Sequence, residues 1–167
     1  MPVSPTISTE PALELMAGRH PNGEIIIERV LVAPQQQVNA YQLLKSPVFV
    51  RGIARGDIIQ RMDKPRGAFK LEQHSGNLCI RVFGKQPLDR LEQSLTAEIE
   101  KLGGDRDVFE PRVLVYSIHV SCGFNKIEEL LNQQLAAAAD VSWFYGNVYD
   151  PQSGEPLNWW QAILAPE

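Results

Sequence analysis

Two glycine-centred turns, each followed by aliphatic residues, limit most strongly how this chain can fold. In residues 51–59, Gly52 and Gly56 precede an Asp-Ile-Ile segment. In residues 74–82, a Ser-Gly-Asn turn precedes alternating apolar residues. Glycine supplies the backbone freedom that tight turns need, and alternation with period two is typical of half-buried strands. Short strands at this spacing favour a small β-barrel.

Composition and charge exclude several classes of protein. The chain has 167 residues, of which 44% are hydrophobic and 22% charged, and its formal net charge is -4. This length suits one compact unit with two lobes. We expect no membrane partner, because no apolar run approaches the roughly 20 residues of a spanning helix. We expect no nucleic-acid partner, because no basic patch stands out.

The compartment is predicted from the N-terminus and the cysteines. The first residues lack both the basic start and the apolar stretch of a secretory signal. Two cysteines make no disulfide framework in a chain that can build a core, so reduced thiols are expected. Both observations predict a cytoplasmic protein.

The front of the chain divides into a tail and a strand-rich lobe. Residues 1–23 contain four prolines and two glycines, which predicts a flexible N-terminal tail whose apolar patch at 13–16 forms at most a helical turn. Residues 24–76 are predicted to form the β-rich, barrel-like lobe. Its expected strands cover 24–32, 40–44, 48–50, 57–60 and 68–72.

Residues 77–167 mix both periodicities and predict a second, α+β lobe that packs with the first as one unit. A strand at 78–82 precedes a helix at 88–102, with Gly103 as its C-terminal cap. A strand at 112–120 precedes a helix with a capping box of Asn125 and Glu128. A long strand at 141–149 and a short strand or helix at 157–164 complete the order. The whole chain is therefore predicted as α+β, with a ferredoxin-like sheet that carries two helices on one face.

The turn motifs resemble those of an uncharacterised bacterial family, the 4265 family of domains of unknown function. The matching positions are Gly56-Asp57, Ser75-Gly76-Asn77, Arg81 and Gly103, and the resemblance covers residues 24–150. The family pattern has a small hydroxyl residue after the asparagine, where this chain has Leu78. The resemblance implies an architecture and candidate positions, and it implies no activity.

One pair of residues could perform nucleophilic catalysis. His119 at a strand end and Cys122 in the following loop could form a thiolate and its base, with Asn125 orienting the imidazole. The alternative is a small buried cysteine beside a histidine that bonds a nearby carbonyl. The second interpretation is preferred.

Polar residues in the two turns are candidates for binding a ligand or a partner. Asp57 either accepts hydrogen bonds from backbone amides of its own turn or contacts a ligand. Arg81, on the strand face shared with Cys79 and Phe83, either pairs with a carboxylate such as Asp57 or Glu72 or holds an anion. The further candidates in these turns are His74, Ser75 and Asn77.

Aromatic residues are concentrated near the C-terminus. Most are expected in the core, but if Trp159 and Trp160 straddle the sheet, one of them faces outward and could anchor a protein partner. No metal or cofactor is predicted, since the histidines lie far apart and no CxxC spacing occurs.

We favour a non-enzymatic binding or regulatory module over an enzyme. Its partner would be a protein or a small ligand near the junction of the lobes, and by analogy of size it could neutralise a toxin. The alternative is a thiol-dependent enzyme that uses Cys122 with His119 on an acyl substrate.

Overall fold

The computed structural model describes residues 11–165, which form two antiparallel sheets and three helices. The first sheet contains β1 (Ala12–Arg19), β2 (Ile25–Pro34), β3 (Ala40–Leu43), β4 (Ile58–Arg61) and β5 (Phe69–Gln73). The second contains β6 (Asn77–Gly84), β7 (Asp105–Glu110), β8 (Val113–His119) and β9 (Val141–Tyr145). The helices are α1 (Asp89–Lys101), α2 (Phe124–Leu135) and α3 (Trp160–Leu164). The predicted α+β class is confirmed.

The first sheet is an open meander in the order β1-β2-β3-β4-β5 and is not a closed barrel. In the described part of the chain, β1 and β5 are its two edges. The sheet curls, because the amide of Met16 on β1 donates to the carbonyl of Gly67 in the β4–β5 turn at 2.9 Å. The prediction of a small barrel is therefore wrong in one respect, because β1 and β5 do not pair to close the sheet.

Part of the predicted tail belongs to the first sheet. Leu15 of β1 is fully buried, and Leu13 and Ala17 pack against the same core. This alternation is strand periodicity, so the predicted tail is wrong for residues 12–19, and so is the helical turn. The prolines that suggested a tail lie outside β1, and residues 1–10 lie outside the described residues.

The second sheet has the strand order β7-β8-β6-β9. With α1 between β6 and β7 and α2 between β8 and β9, this is the βαββαβ connectivity of a ferredoxin-like fold. The sequence did not predict β7, because its composition, Asp-Arg-Asp-Val-Phe-Glu, is mostly charged. Three of its charged side chains, Asp105, Arg106 and Glu110, are exposed on this edge strand. The buried one, Asp107, accepts hydrogen bonds from Ser46 and Ser117.

Helices α1 and α2 cover one face of the second sheet. Leu95 and Ile99 of α1 and Ile127 and Leu131 of α2 are all fully buried against the strands. Each such side chain contributes roughly 1.5–3 kcal/mol relative to exposure. Gly103 follows α1 with φ of 90°, as predicted.

The helix starts differ from the prediction. Helix α2 begins after Gly123 without a side-chain cap, and Glu128 accepts instead a hydrogen bond from the hydroxyl of Tyr145 at 2.9 Å. The predicted capping box is therefore wrong.

The predicted strand at 141–149 ends at Tyr145, and the last element is the short helix α3. No helix within residues 11–165 has the length and apolar character that a membrane span requires.

The other face of the second sheet meets the segment between β3 and β4, residues 44–57, called here the connecting segment. Ala54 of this segment is buried with Cys79 of β6 and Val115 of β8. Ser46 joins the same contact, since its hydroxyl lies 2.6 Å from that of Ser117 and its amide donates to Asp107 at 2.7 Å. The two sheets thus share one partly polar junction.

Candidate functional site

A carboxylate of the first sheet fixes the middle of the connecting segment. Glu28 of β2 accepts backbone hydrogen bonds from Val48 at 2.7 Å and from Phe49 and Val50 at 2.9 Å each. Sequence analysis predicted a strand at 48–50, which is wrong because these three amides point to a side chain and pair with no other strand. The segment consequently has a fixed path above the second sheet.

Arg81 of β6 contacts the same segment from the second sheet. Its Nη1 and Nη2 donate to the carbonyls of Phe49 and Val50, and the side chain is almost entirely buried. Its Nε is buried and has no hydrogen-bond partner in the part of the chain that the structure describes. Within residues 11–165, no carboxylate oxygen lies within 4.0 Å of the guanidinium. Neither Asp57 nor Glu72 pairs with Arg81, so its charge lacks a direct counterion.

Gly146 allows the guanidinium to lie against the backbone. A Cβ at this position would lie 2.7 Å from Cζ and 2.8 Å from Nε of Arg81, and 2.8 Å from Sγ of Cys79. Any larger residue would therefore displace the arginine or the thiol. The amide of Gly146 donates to the carbonyl of Cys79 at 2.7 Å, which holds the glycine beside β6.

A pocket of about 360 Å³ opens beside Arg81, and we call it the junction pocket. Its lining comprises Val48, Phe49 and Arg51 of the connecting segment, Arg81 and Phe83 of β6, and residues 144–146 and 149–151. The pocket exists because the connecting segment covers only part of the sheet. This volume lies within the range of small-molecule sites.

Three aromatic rings form one wall of the junction pocket. The rings of Phe49 and Phe83 are stacked with centroids 6.2 Å apart, and those of Phe83 and Phe144 are 5.5 Å apart. Phe49 and Phe144 are 55% and 49% exposed, which is unusual for phenylalanine. Sequence analysis expected the C-terminal aromatics mostly in the core. Phe144 is an exception because it lies opposite Arg81 in the sheet register, on the face without helices.

Of the predicted site residues, only Arg81 lines the junction pocket. Sequence reasoning missed Arg51, Phe49, Phe83 and Gly146 as site residues. The period of β6 could have indicated Phe83, since it shares a face with Arg81. Nothing in the sequence placed the connecting segment over that face.

Asp57, Ser75 and Asn77 meet in a buried cluster that joins the two turns. The carboxylate of Asp57 accepts hydrogen bonds from the amides of Ala54 at 2.9 Å and Ser75 at 2.8 Å. The side chains of Ser75 and Asn77 both donate to the carbonyl of Arg55. Burial raises the pKa of Asp57 to about 6, although these hydrogen bonds act in the opposite direction. The cluster satisfies its own backbone, as the structural interpretation of Asp57 predicted.

His74, which follows β5, and Trp159 connect the C-terminal segment to the first sheet, whereas Trp160 packs on α2. The rings of His74 and Trp159 stack at 4.6 Å, and Trp159 donates to the carbonyl of Asn147 at 2.7 Å. Trp160 packs edge-on against Phe124 at 5.0 Å. Both tryptophans are half-buried, so each offers only part of its ring to a partner. Burial lowers the pKa of His74.

His119 and Cys122 lie near each other in the chain, but no hydrogen bond joins them within the described residues. The Nδ1 atom of His119 accepts from the amide of Ser121 at 3.1 Å and lies 2.8 Å from its hydroxyl. Both residues line a pocket of about 350 Å³ with Lys101 and Lys126. The geometry thus engages the imidazole with Ser121 and not with the thiol.

Two further features bear on the choice of site. No group of three or more potential metal ligands converges within residues 11–165. A larger pocket of about 580 Å³ includes Glu28 and Asp107, but the carboxylates of both already accept hydrogen bonds from the connecting segment. The junction pocket differs from it, because it contains a buried guanidinium that has no carboxylate partner within residues 11–165.

The chain shares its fold with a protein of known structure. A hypothetical protein from Neisseria gonorrhoeae superposes with a TM-score of 0.65 and is 19% identical in sequence. The similarity covers 84% of this chain and 96% of that protein. At this identity, it shows the fold alone.

Comparison of sequences gives the family but no activity. No curated protein matches this chain. The profile of a family described as a domain of unknown function, DUF4265, matches residues 28–143, which include most of both sheets. The predicted resemblance is confirmed, and the chain belongs to the DUF4265 family.

Proposed function

We propose that this protein is a non-enzymatic binding module whose ligand places an anionic group in the junction pocket. The observation that carries the proposal is Arg81, a buried guanidinium at the pocket that donates to two carbonyl oxygens, lies beside the Cys79 thiol and has no carboxylate partner within residues 11–165. Arg51, which is exposed, supplies a second positive charge to the same lining. Arginine is well suited to recognise carboxylates and other oxyanions.

The energetics of burial support this assignment. A charge removed from water without a counterion costs several kcal/mol, and neutral carbonyls offset that cost only in part. An anion in the junction pocket would offset more of it and would therefore stabilise the folded chain. A ligand at 100 times its Kd adds about 2.7 kcal/mol to the free energy of unfolding.

We also propose a compartment and a biological role. Cys79 and Cys122 are both free thiols, which supports a reducing compartment and thus a bacterial cytoplasm. Regulation of a neighbouring protein, for example by neutralising a toxin, is our proposal for the biological role. The size and class of the protein support this role.

A titration with a simple anion tests the binding site. Sodium acetate is added at constant ionic strength while NMR records the Arg81 Nε–H signal and the amides of residues 144–146. We expect saturable shifts at these positions. Replacement of Arg51 by glutamine, written Arg51→Gln, should weaken binding several-fold because one of two positive charges is lost.

The matched control is Arg90→Gln. Arg90 is an exposed arginine on α1, on the helix-covered side of the sheet. This variant has the same change in net charge, so acetate binding should not change. Equal weakening by both variants, or shifts that do not saturate, would overturn the proposed site.

A further inference from the structure

We infer that the ligand of the junction pocket is a small aromatic acid with a single carboxylate. This inference rests on the proposed function and adds the chemical class of the ligand. It depends on three properties of the pocket, namely its aromatic wall, its balance of charge and its size.

The wall favours a flat ring over an aliphatic chain. Phe49, Phe83 and Phe144 form a continuous row of rings, and the two outer members are about half exposed. Tyr149, which is 51% exposed, adds a fourth ring to the lining. Aromatic rings prefer stacked or edge-on contact with one another, which an aliphatic ligand cannot supply.

The balance of charge favours one negative charge. Arg51 and Arg81 contribute two positive charges to the lining, and Asp150 contributes one negative charge. The carboxylate of Asp150 accepts hydrogen bonds from the amides of Gln152 and Ser153 at 2.8 and 3.0 Å, which lower its pKa. Asp150 therefore remains ionised, and the lining has one net positive charge. A monocarboxylate neutralises this charge. A phosphate dianion would be repelled by Asp150.

Size and backbone features agree with this class. A volume of about 360 Å³ lies near the lower end of the range for small-molecule sites. Nucleotide sites usually present several backbone amides from a glycine-rich loop at a helix N-terminus. The lining contains no lysine, and it draws its residues from strands and connecting segments.

A comparison of four probes tests the inference by calorimetry on the full chain. The probes are 3-phenylpropionate, 3-cyclohexylpropionate without the aromatic ring, 3-phenylpropionamide without the charge, and adenosine monophosphate as a larger phosphate ester. We expect 3-phenylpropionate to bind most tightly. The cyclohexyl acid should bind roughly three- to tenfold more weakly. The amide should bind at least about tenfold more weakly.

Variants locate the contacts. Phe144→Ala should weaken 3-phenylpropionate roughly three- to tenfold and weaken the cyclohexyl acid less, because both ligands lose apolar contact but only the first also loses contact between aromatic rings. Ser142→Ala, a change on the same exposed face of β9, should alter neither affinity. Circular dichroism of each variant confirms that it is folded.

The outcomes separate this inference from the proposed function. If both acids bind equally, or if adenosine monophosphate binds more tightly, the aromatic class is wrong while an anion site remains. If 3-phenylpropionamide binds as tightly as 3-phenylpropionate, the proposed anion site is wrong together with the ligand class. The same conclusion follows if no probe binds and acetate also fails to shift the Arg81 signal.

Discussion

Glu28 and Arg81 hold the same three-residue segment by its opposite polar groups. Glu28 accepts hydrogen bonds from the amides of residues 48–50, and Arg81 donates hydrogen bonds to the carbonyls of Phe49 and Val50. The peptide unit between Phe49 and Val50 joins the two charges, because its N–H donates to the carboxylate and its C=O accepts from the guanidinium, so its dipole partly stabilises both. This arrangement positions the connecting segment at the edge of the junction pocket.

Loss of the carboxylate charge should loosen that segment. Glu28→Gln keeps one oxygen acceptor but removes the charge from three hydrogen bonds. We expect the free energy of unfolding to fall by about 2 kcal/mol, as measured by urea denaturation. Glu24→Gln, a change of an exposed glutamate just before β2, is the matched control and should cost less than about 0.5 kcal/mol. Equal losses would show that Glu28 does not hold the segment.

A methyl group at position 146 should disrupt the site by displacing Arg81 or Cys79. Gly146→Ala would place Cβ within 2.8 Å of both Arg81 Nε and Cys79 Sγ. We expect a loss of about 1–3 kcal/mol in urea denaturation, because neither buried neighbour can move freely. In an Arg81→Ala background the same change should cost less, since one of the two clashes is removed. An unchanged cost in that background would place the strain elsewhere.

The stability of the protein should depend on the ionisation of Asp57. Burial raises its pKa from 3.8 to about 6, so the folded chain binds more protons than the unfolded chain between these values. The contribution of Asp57 to the free energy of unfolding should therefore decrease by about 3 kcal/mol as the pH rises from about 4 to about 6, and stay constant above. His74 opposes this trend, because its lowered pKa costs stability as the pH falls below 6.5.

Comparison with Asp57→Asn isolates the aspartate. Urea denaturation of both proteins is measured from pH 4 to pH 8, and the difference between their free energies of unfolding cancels the effect of His74 except for its coupling to the Asp57 carboxylate, which lies 4.0 Å from its Nδ1 atom. The wild type should lose its advantage over the variant across the window from pH 4 to pH 6. A difference that stays constant with pH would refute the raised pKa.

The two thiols should react differently with an alkylating agent. Cys79 is fully buried and burial raises the pKa of its thiol, so it should react only after unfolding. Cys122 is half-buried and has no hydrogen bond to His119, so at neutral pH it should react no faster than free cysteine. Mass spectrometry of the alkylated protein measures both rates. Faster reaction at Cys122 that Ser121→Ala alters would instead favour the thiol-dependent enzyme.

Local patterns predicted the second sheet better than the first. The steps of three and four along α1 are compatible only with a helix, and the alternation in β6 only with a strand. Each element buries one face against a continuous core, so its apolar residues show a clear period. In β1, prolines and glycines at the ends obscured a strand whose inward residues, Leu13, Leu15 and Ala17, are nevertheless regular. In β7, charged residues on an edge strand concealed the pairing.

The site was less predictable because it depends on long-range packing. The face of Arg81 followed from strand periodicity, but its partners lie more than 30 residues away in the connecting segment. The amides of that segment bond to a side chain, and a sequence pattern does not show such a contact. The aromatic wall likewise combines residues 49, 83 and 144 from three separate elements.

Binding of an anion at Arg81 is the central claim of the proposed function. A crystal structure of the protein with 3-phenylpropionate tests this directly. We predict the carboxylate within about 3 Å of a guanidinium nitrogen of Arg81 or Arg51, with the ring against Phe83 and Phe144. A ligand bound elsewhere on the protein, with the junction pocket empty at saturating concentration, would contradict it.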